Sequence, residues 1–387
     1  METQNKTIVH LDLDTFFVSV ERLVDSSLNG KPVIIGGTSD RGVVASCSYE
    51  ARQFGVYSSM PMKMAYNLCR DAVIIRGDMD LYTKYSRLVT DVIADKAPVY
   101  EKASIDEHYI DITGMDRFFG SYLWSHELRQ KIINETGLPI SFGLSVNKTV
   151  SKIATGEAKP NGEKEVPNLM VQPFLNPLSI RKIPMVGPKS YQLLRSMGVS
   201  TIQTLSTIPP QMMKSLMGKM GLEILRRANG IDLSPVVPYS EEKSISSERT
   251  FETDTIDIRM MEQIIIGMVE KLAFKLRKHQ KLASIVTIKI RYANYDTQTQ
   301  QKKITYTSFD HVLIDTARTL FNKLYERRML IRLIGVKLGG LISGVQQLDL
   351  FEKNEKMIKL YLQMDKIKLR YGSNSVHRAS SITSNFK

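Results

Sequence analysis

Apolar and polar positions alternate from residue 7 to 13, as in a half-buried strand. From 16 to 28 apolar residues recur at helical spacing until Asn29-Gly30 ends the run. Short strands are predicted over 32–35 and 42–47, then helices near 48–54 and 61–69. Residues 78–95 place Leu81, Tyr85, Leu88, Val89 and Val92 on one helical face. Strands at 98–103 and 107–112, a helix at 121–136 and a strand at 140–145 follow. This mixture predicts an α+β arrangement, a mainly antiparallel sheet with helices on one face.

The pattern then changes. Pro167, Pro173, Pro177 and glycine-asparagine signals between 161 and 177 mark a boundary. Residues 177–230 show short helical periods and no strand, and 231–243 carries two prolines that suit an extended linker. From 244 to 345 the periods read β-α-β-β-α-β, a ferredoxin-like order with strands at 245–252, 284–292, 301–308 and 332–341. In 284–292, Val286, Ile288, Ile290 and Tyr292 alternate with Thr287, Lys289 and Arg291. Helices should cover the first set, leaving Lys289, Arg291 and Lys303 free to meet phosphate. The tail from 371 is polar and Ser-rich, and is expected to be disordered.

Composition adds limits. With 387 residues, two to four domains are expected. No apolar run spans a bilayer, so no membrane partner is expected. Cys47 and Cys69 build no disulfide framework, which fits a reducing cytoplasm. The net charge of +13 is uneven. Residues 243–345 hold 18 Lys and Arg against 10 Asp and Glu, whereas 1–242 holds 27 against 26. Positive charge gathered towards one end suggests a polyanion, nucleic acid first.

The chemistry centres on Asp106-Glu107, two acids within the apolar run Ile105, Tyr109, Ile110, Ile112. By itself the pair reads equally as part of a cation site or as a strand end facing water. Asp12, in His10-Leu11-Asp12-Leu13-Asp14, would complete an all-oxygen shell for magnesium. Neighbours in a strand point to opposite faces, so a bend must turn 106 and 107 together. Ser46, Tyr49 and Arg52 could converge on a triphosphate, or form a plain helix start capped by Ser48. Lys159, before Pro160-Asn161-Gly162, offers a point charge or only a surface turn. Residues 183–198 suit a helix-hairpin-helix that grips phosphate through Gly187 and Lys189, or a simple αα-hairpin. Gln347, Leu348, Leu350 and Phe351 suit a partner's apolar pocket or a last packed turn.

In this order HLDLDTFF, SYEARQFGV, SIDEHYID, AKPNG and IPMVGPKS resemble the Y-family DNA polymerases of the bacterial DNA polymerase IV (DinB) type, over residues 6–351. The resemblance implies a multi-domain right hand: palm 1–11 and 78–166, fingers 12–77, helical thumb 167–232, linker 233–243 and little finger 244–345, with a tail from 346 to 387. It implies Asp12, Asp106 and Glu107 as catalytic carboxylates on two magnesium ions, with the Leu13 carbonyl as a further ligand. It also implies Phe17 as steric gate beside Phe16, and Ser46, Tyr49, Arg52 and Lys159 as triphosphate contacts. Primer-template DNA, dNTPs and a sliding clamp engaging 347–351 are the implied partners, for a monomer in translesion synthesis. His108 where alanine is common, Met185 in place of a hairpin glycine, and about 36 residues beyond 351 depart from the family pattern. A palm-type nucleotide cyclase and a non-catalytic DNA-binding protein are the competing classes. The hairpin, the basic module and the 347–351 peptide weigh against the cyclase.

Overall fold

The computed structural model describes residues 6–37, 39, 41–115, 120–239, 241–345 and 355–381. They fall into two units, Met1–Ser240 and Glu241–Lys387.

The first unit opens with β1 (Ile8–Leu13) and α1 (Phe16–Val24). A small sheet follows, built from β2 (Val33–Gly36), β3 (Val44–Cys47) and, after α2 (Tyr49–Gln53) and α3 (Met62–Leu68), β4 (Val73–Ile75). β2 is central, antiparallel to β3 and parallel to β4. Ile34, Cys47, Val56, Met60 and Met62 give this sheet its own core.

Next come α4 (Met79–Lys96), β5 (Val99–Lys102), β6 (Glu107–Asp111), α5 (Ser121–Thr136), β7 (Ile140–Ser145), α6 (Lys148–Ala158) and β8 (Glu163–Glu165). The main sheet has the order β5-β6-β1-β7-β8, antiparallel except where β7 meets β8. Alternation along β1 decides the two faces. Val9, Leu11 and Leu13 join a core with Val89 and Ile93 of α4 and Leu128 and Ile132 of α5. His10 and Asp12 face the other way, and there the expectation of helices on one face fails. α6 lies over that second face, with His10 Nδ1 2.8 Å from Thr155 Oγ1. The close approach depends on Gly143, which β7 places opposite His10. A Cβ there would stand 2.2 Å from the Ser151 carbonyl oxygen and 2.5 Å from the Thr155 nitrogen.

The unit continues through α7 (Val171–Leu175), α8 (Pro188–Ser196), α9 (Ile202–Ser206) and α10 (Pro210–Ala228). Leu194, Ile202, Leu205, Met213 and Ile224 form their core together with Val150 and Ile153 of α6. Part of the extended segment that follows is anchored. Asp232 accepts hydrogen bonds from Thr149 Oγ1 at 2.7 Å and Ser234 Oγ at 2.6 Å, and the Val237 amide donates to Glu101 at 2.7 Å.

The second unit comprises β9 (Ser244–Thr255), α11 (Ile258–Lys278), β10 (Lys281–Tyr292), β11 (Thr297–Thr307), α12 (Asp310–Leu324), β12 (Ile331–Gly339), β13 (Ile342–Ser343) and α13 (Glu355–Tyr371). The sheet order β11-β10-β12-β9 makes two split β-α-β units, each with a strand of the other between its parallel pair. Val286, Ile288, Ile290 and Tyr292 are buried with α11 and α12.

The tail differs from expectation. Beyond 371 the described residues reach 381; most are exposed, but Glu270, a buried acid of α11, engages two of them, while α13 before them is held through Arg277. Arg277 donates from Nε and Nη2 to Asp365 of α13 at 2.6 and 2.9 Å, and from Nη1 to the fully buried Asp310 at 2.5 Å. Glu270, 2% exposed, accepts from the Arg378 amide at 3.2 Å and Ser381 Oγ at 3.1 Å.

Candidate active site

The acidic residues meet because of strand register. β1 sets Asp12 directly opposite Glu107 of β6 on one side and Ser141 of β7 on the other. Paired residues share a face, so Asp12 and Glu107 both project towards α6. Asp106 lies just before β6, in the bend that the sequence demanded. Ser104 holds that bend: its Oγ donates to Asp106 Oδ1 at 2.5 Å and accepts from the Glu107 amide at 3.1 Å. The Asp106 carbonyl accepts from the buried Leu13 amide at 3.1 Å, tying the bend to the end of β1.

Two lysines of the α6 region face these acids. Lys152 Nζ donates to both Glu107 oxygens, at 2.6 and 2.5 Å. Lys159, the C-cap of α6, pairs with Asp12 and stands 3.7 Å from Asp14. The Glu107 carboxyl is held down to about 2, first by the His10 ring, whose Nε2 is 3.8 Å away, and then by Lys152, against its burial. Burial pushes the Asp12 carboxyl up to about 6; Lys159 opposes this, while Glu107 and Asp106 add to it. Burial lowers His10 to about 4 and His108 to about 3, so both rings are neutral near pH 7. His108 Nε2 lies 3.0 Å from Thr90 Oγ1.

Asp14, 2% exposed, organises the neighbouring corner. It accepts from Ser141 Oγ at 2.9 and 3.1 Å, from the Asn161 amide at 2.6 Å and from Tyr49 Oη at 3.4 Å. Arg52 lies 5.0 Å over the Tyr49 ring, and its exposure leaves the guanidinium open to an anion. Ser48 also caps α2, accepting from the Ala51 amide at 3.2 Å, so helix start and candidate phosphate contacts coexist. Ser46 is buried in β3 opposite Ile35, and no hydrogen bond among the described residues joins it to this cluster. Phe17 stacks on Tyr82 at 4.2 Å and 12°, while Phe16 is buried beside it.

A metal fits the chemistry of these donors. Among the described residues no three acids or histidines stand in the arrangement that encloses an ion; the lysines lie against the carboxylates instead. Yet Asp12, Asp14 and Glu107 face only two ammonium groups, Asp106 adds a fourth carboxylate beside them, and the burial that raises Asp12 is a cost that a further positive charge would offset. Oxygen-only ligands of this kind suit a hard divalent cation.

The other candidate contacts lie elsewhere. Gly187 and Lys189 are exposed at the start of α8, after a hairpin in which Met185 takes the left-handed φ of 78°. In the second unit Lys289, Arg291 and Lys303 share the sheet face free of helices, by their register with Thr299, Thr297 and Ile285. Lys337, opposite Thr287, joins them and was missed in the sequence. Lys289 is paired there with Glu248 at 2.9 Å. Gln347, Leu348, Leu350 and Phe351 lie outside the described residues. Asp14, His10 and Lys152 were also missed as site residues; only the acidic doublet Asp12-Leu13-Asp14 offered a signal, for Asp14.

Residues 11–156 match the impB/mucB/samB family and residues 242–350 match that family's C-terminal domain. DNA polymerase IV of Dehalococcoides mccartyi strain CBDB1 is 40% identical over 375 residues, 96% of either chain. DNA polymerase IV of Treponema denticola is 34% identical over 377 residues, 95% of either chain. Among solved structures, a Y-family DNA polymerase chimera of Dbh and Dpo4 is similar with a TM-score of 0.76 and 26% identity, covering 87% of this chain and all 100% of that one. DinB from Sulfolobus solfataricus is similar with a TM-score of 0.61 and 25% identity, with the same coverage. No helix among the described residues is long and apolar enough to cross a membrane. With both halves matched and the carboxylates set at one end of the main sheet, the chain belongs to the impB/mucB/samB family of Y-family DNA polymerases and has their right-hand architecture.

Proposed function

We propose that this DNA-directed DNA polymerase of the translesion type joins deoxynucleotides to a primer 3′-OH with magnesium as its metal, releasing pyrophosphate. The observation that carries the assignment is the register of Asp12 with Glu107, together with the bend that brings Asp106 beside them. Two divalent ions bound to Asp12, Asp106, Glu107 and the Leu13 carbonyl would supply charge stabilisation for the attacking and leaving oxygens. Glu107 is already ionised and sits beside Lys152, which leaves it able to face the attacking hydroxyl. Lys159, Tyr49 and Arg52 bind the triphosphate, and Ser46 lines its path. Lys159 then exchanges its carboxylate partner for phosphate, so its ammonium group keeps an anionic partner throughout. Phe17, braced on Tyr82, meets the sugar.

The proposal extends to the domain division and partners given above. Gly187 and Lys189 contact the duplex backbone, as do Lys289, Arg291 and Lys303 of the basic module, and the 347–351 peptide engages a sliding clamp. A soluble monomer in the cytoplasm completes it. Primer extension by Asp106→Ala and Glu107→Ala tests the assignment: each should lose about 10²–10³-fold in kcat, as for a removed electrostatic stabiliser. Extension persisting in both variants would overturn it.

A further inference from the structure

The second unit contains a cavity of about 380 Å³, bounded by β9, α11 and the returning tail. A volume in this range accommodates a small organic ligand. Its wall includes Arg249, Lys271, Phe274 and Lys368. Lys368 is only 4% exposed, and among the described residues no carboxylate lies within ion-pair distance of its ammonium group. That group stands 5.6 Å over the Phe274 ring. The stem is what is buried, and the ammonium group keeps an accessible surface, so it can meet an anion entering the cavity.

The acids in the same wall do not supply one. Glu248 is held by Lys289 at 2.9 and 3.0 Å. Glu270 is taken by the Arg378 guanidinium at 3.2 Å and by Ser381 Oγ at 3.1 Å. Arg249 and Lys271 are exposed and, among the described residues, form no ion pair. The wall therefore has uncompensated positive charge around a concave space, with an aromatic ring on one side. Its concavity suits a compact molecule, whereas a duplex backbone would meet the open sheet face of Lys289, Arg291 and Lys303.

We propose that this cavity binds a small phosphorylated molecule, with its phosphate on Lys368 and its organic part against Phe274. Lys271 and Arg249 at the rim add to the attraction, as charged donors do for phosphate. The site is separate from the acidic cluster and does not depend on the role proposed for that cluster.

The test is calorimetric titration of the full chain with inorganic phosphate, in magnesium-free buffer at constant ionic strength. An Asp106→Ala background removes metal-dependent phosphate binding at the acidic site. Phosphate should bind this background, and Lys368→Met should weaken it by about tenfold or more, the effect of losing one charged hydrogen bond. Lys271→Met, an exposed change that spares the fold, should weaken it several-fold. Primer extension without added phosphate should be unchanged in Lys368→Met. No phosphate binding, or equal affinity in both lysine variants, would overturn the proposal. So would competition by a short duplex for the same site, which would reassign it to DNA.

Discussion

Phe17, on α1, lays its ring on Tyr82, whose hydroxyl donates to Glu21 at 2.6 Å. A ring so supported cannot swing aside to admit an extra hydroxyl without losing that stacking contact. Phe17→Ala should raise the kcat/KM for ribonucleotides relative to deoxynucleotides by about tenfold or more, since a steric clash is relieved. Competition between the two sugars in single-nucleotide insertion measures this; an unchanged ratio would remove Phe17 from the role. The acids stood out as charges in an apolar strand, although that alone left their role open, whereas Phe17 entered only through the family resemblance. Lys152 and His10 did not stand out. Their meaning depends on Gly143 letting α6 lie close over the sheet, a contact between residues far apart in the chain.

Elements tell the same story with different causes. The strands with clean alternation and the helices over 79–96 and 121–136 were legible. α6 was not, because Lys-Thr-Val-Ser-Lys-Ile-Ala-Thr-Gly-Glu-Ala is rich in weak helix formers and is stabilised by burial instead. β4 and β8 are three residues each, too short to show a period. In the hairpin before α8, Met185 occupies a left-handed conformation that favours glycine, and its side chain is 48% exposed. Met185→Gly should therefore stabilise the fold by about 0.5–1 kcal/mol in urea unfolding, the relieved strain less the added chain entropy. A net loss would show that contacts of the methionine outweigh its strain.

The anchored stretch after α10 gives a pH signature. Burial alone would raise the Asp232 carboxyl, but hydrogen bonds from Ser234 and Thr149 outweigh it and hold it below the usual carboxylate value. A carboxylate lowered in the folded state stabilises fully above its unfolded value, near 3.8, and the gain fades as pH falls through the folded value. Melting curves of the protein and of Asp232→Asn should differ most near pH 7 and converge below about pH 4. A difference that stays constant down to pH 3 would exclude this origin.

Across the whole molecule, charge is concentrated in the second half: residues 243–345 carry a net +8. Affinity for primer-template should consequently fall steeply with salt, by about 10³-fold or more between 50 and 200 mM if six or more phosphates are neutralised. A shallow dependence in fluorescence-anisotropy titrations would point to few phosphate contacts. Deleting residues 347–351 should abolish clamp-stimulated synthesis and leave unstimulated extension intact, whereas equal loss of both would indicate a structural role. The charge division was legible in composition; the anchoring of the tail was not, because its polar sequence says nothing of the buried Glu270 that meets it.

That docked tail changes what the 347–351 peptide is. The chain is fastened before it, where the Gly344 amide donates to the Gln280 carbonyl at 2.8 Å, and again after it, where Asp365 takes the Arg277 guanidinium. Both fasteners belong to the second unit, so the peptide belongs to a tethered span and not to a free end. Between Val345 and Glu355 that span can reach about 33–36 Å at full extension. A partner engaging that span would be kept within this reach of the second unit. Arg277→Met would remove one anchor of that second attachment and leave those of Tyr361 on His311 and of Arg378 and Ser381 on Glu270.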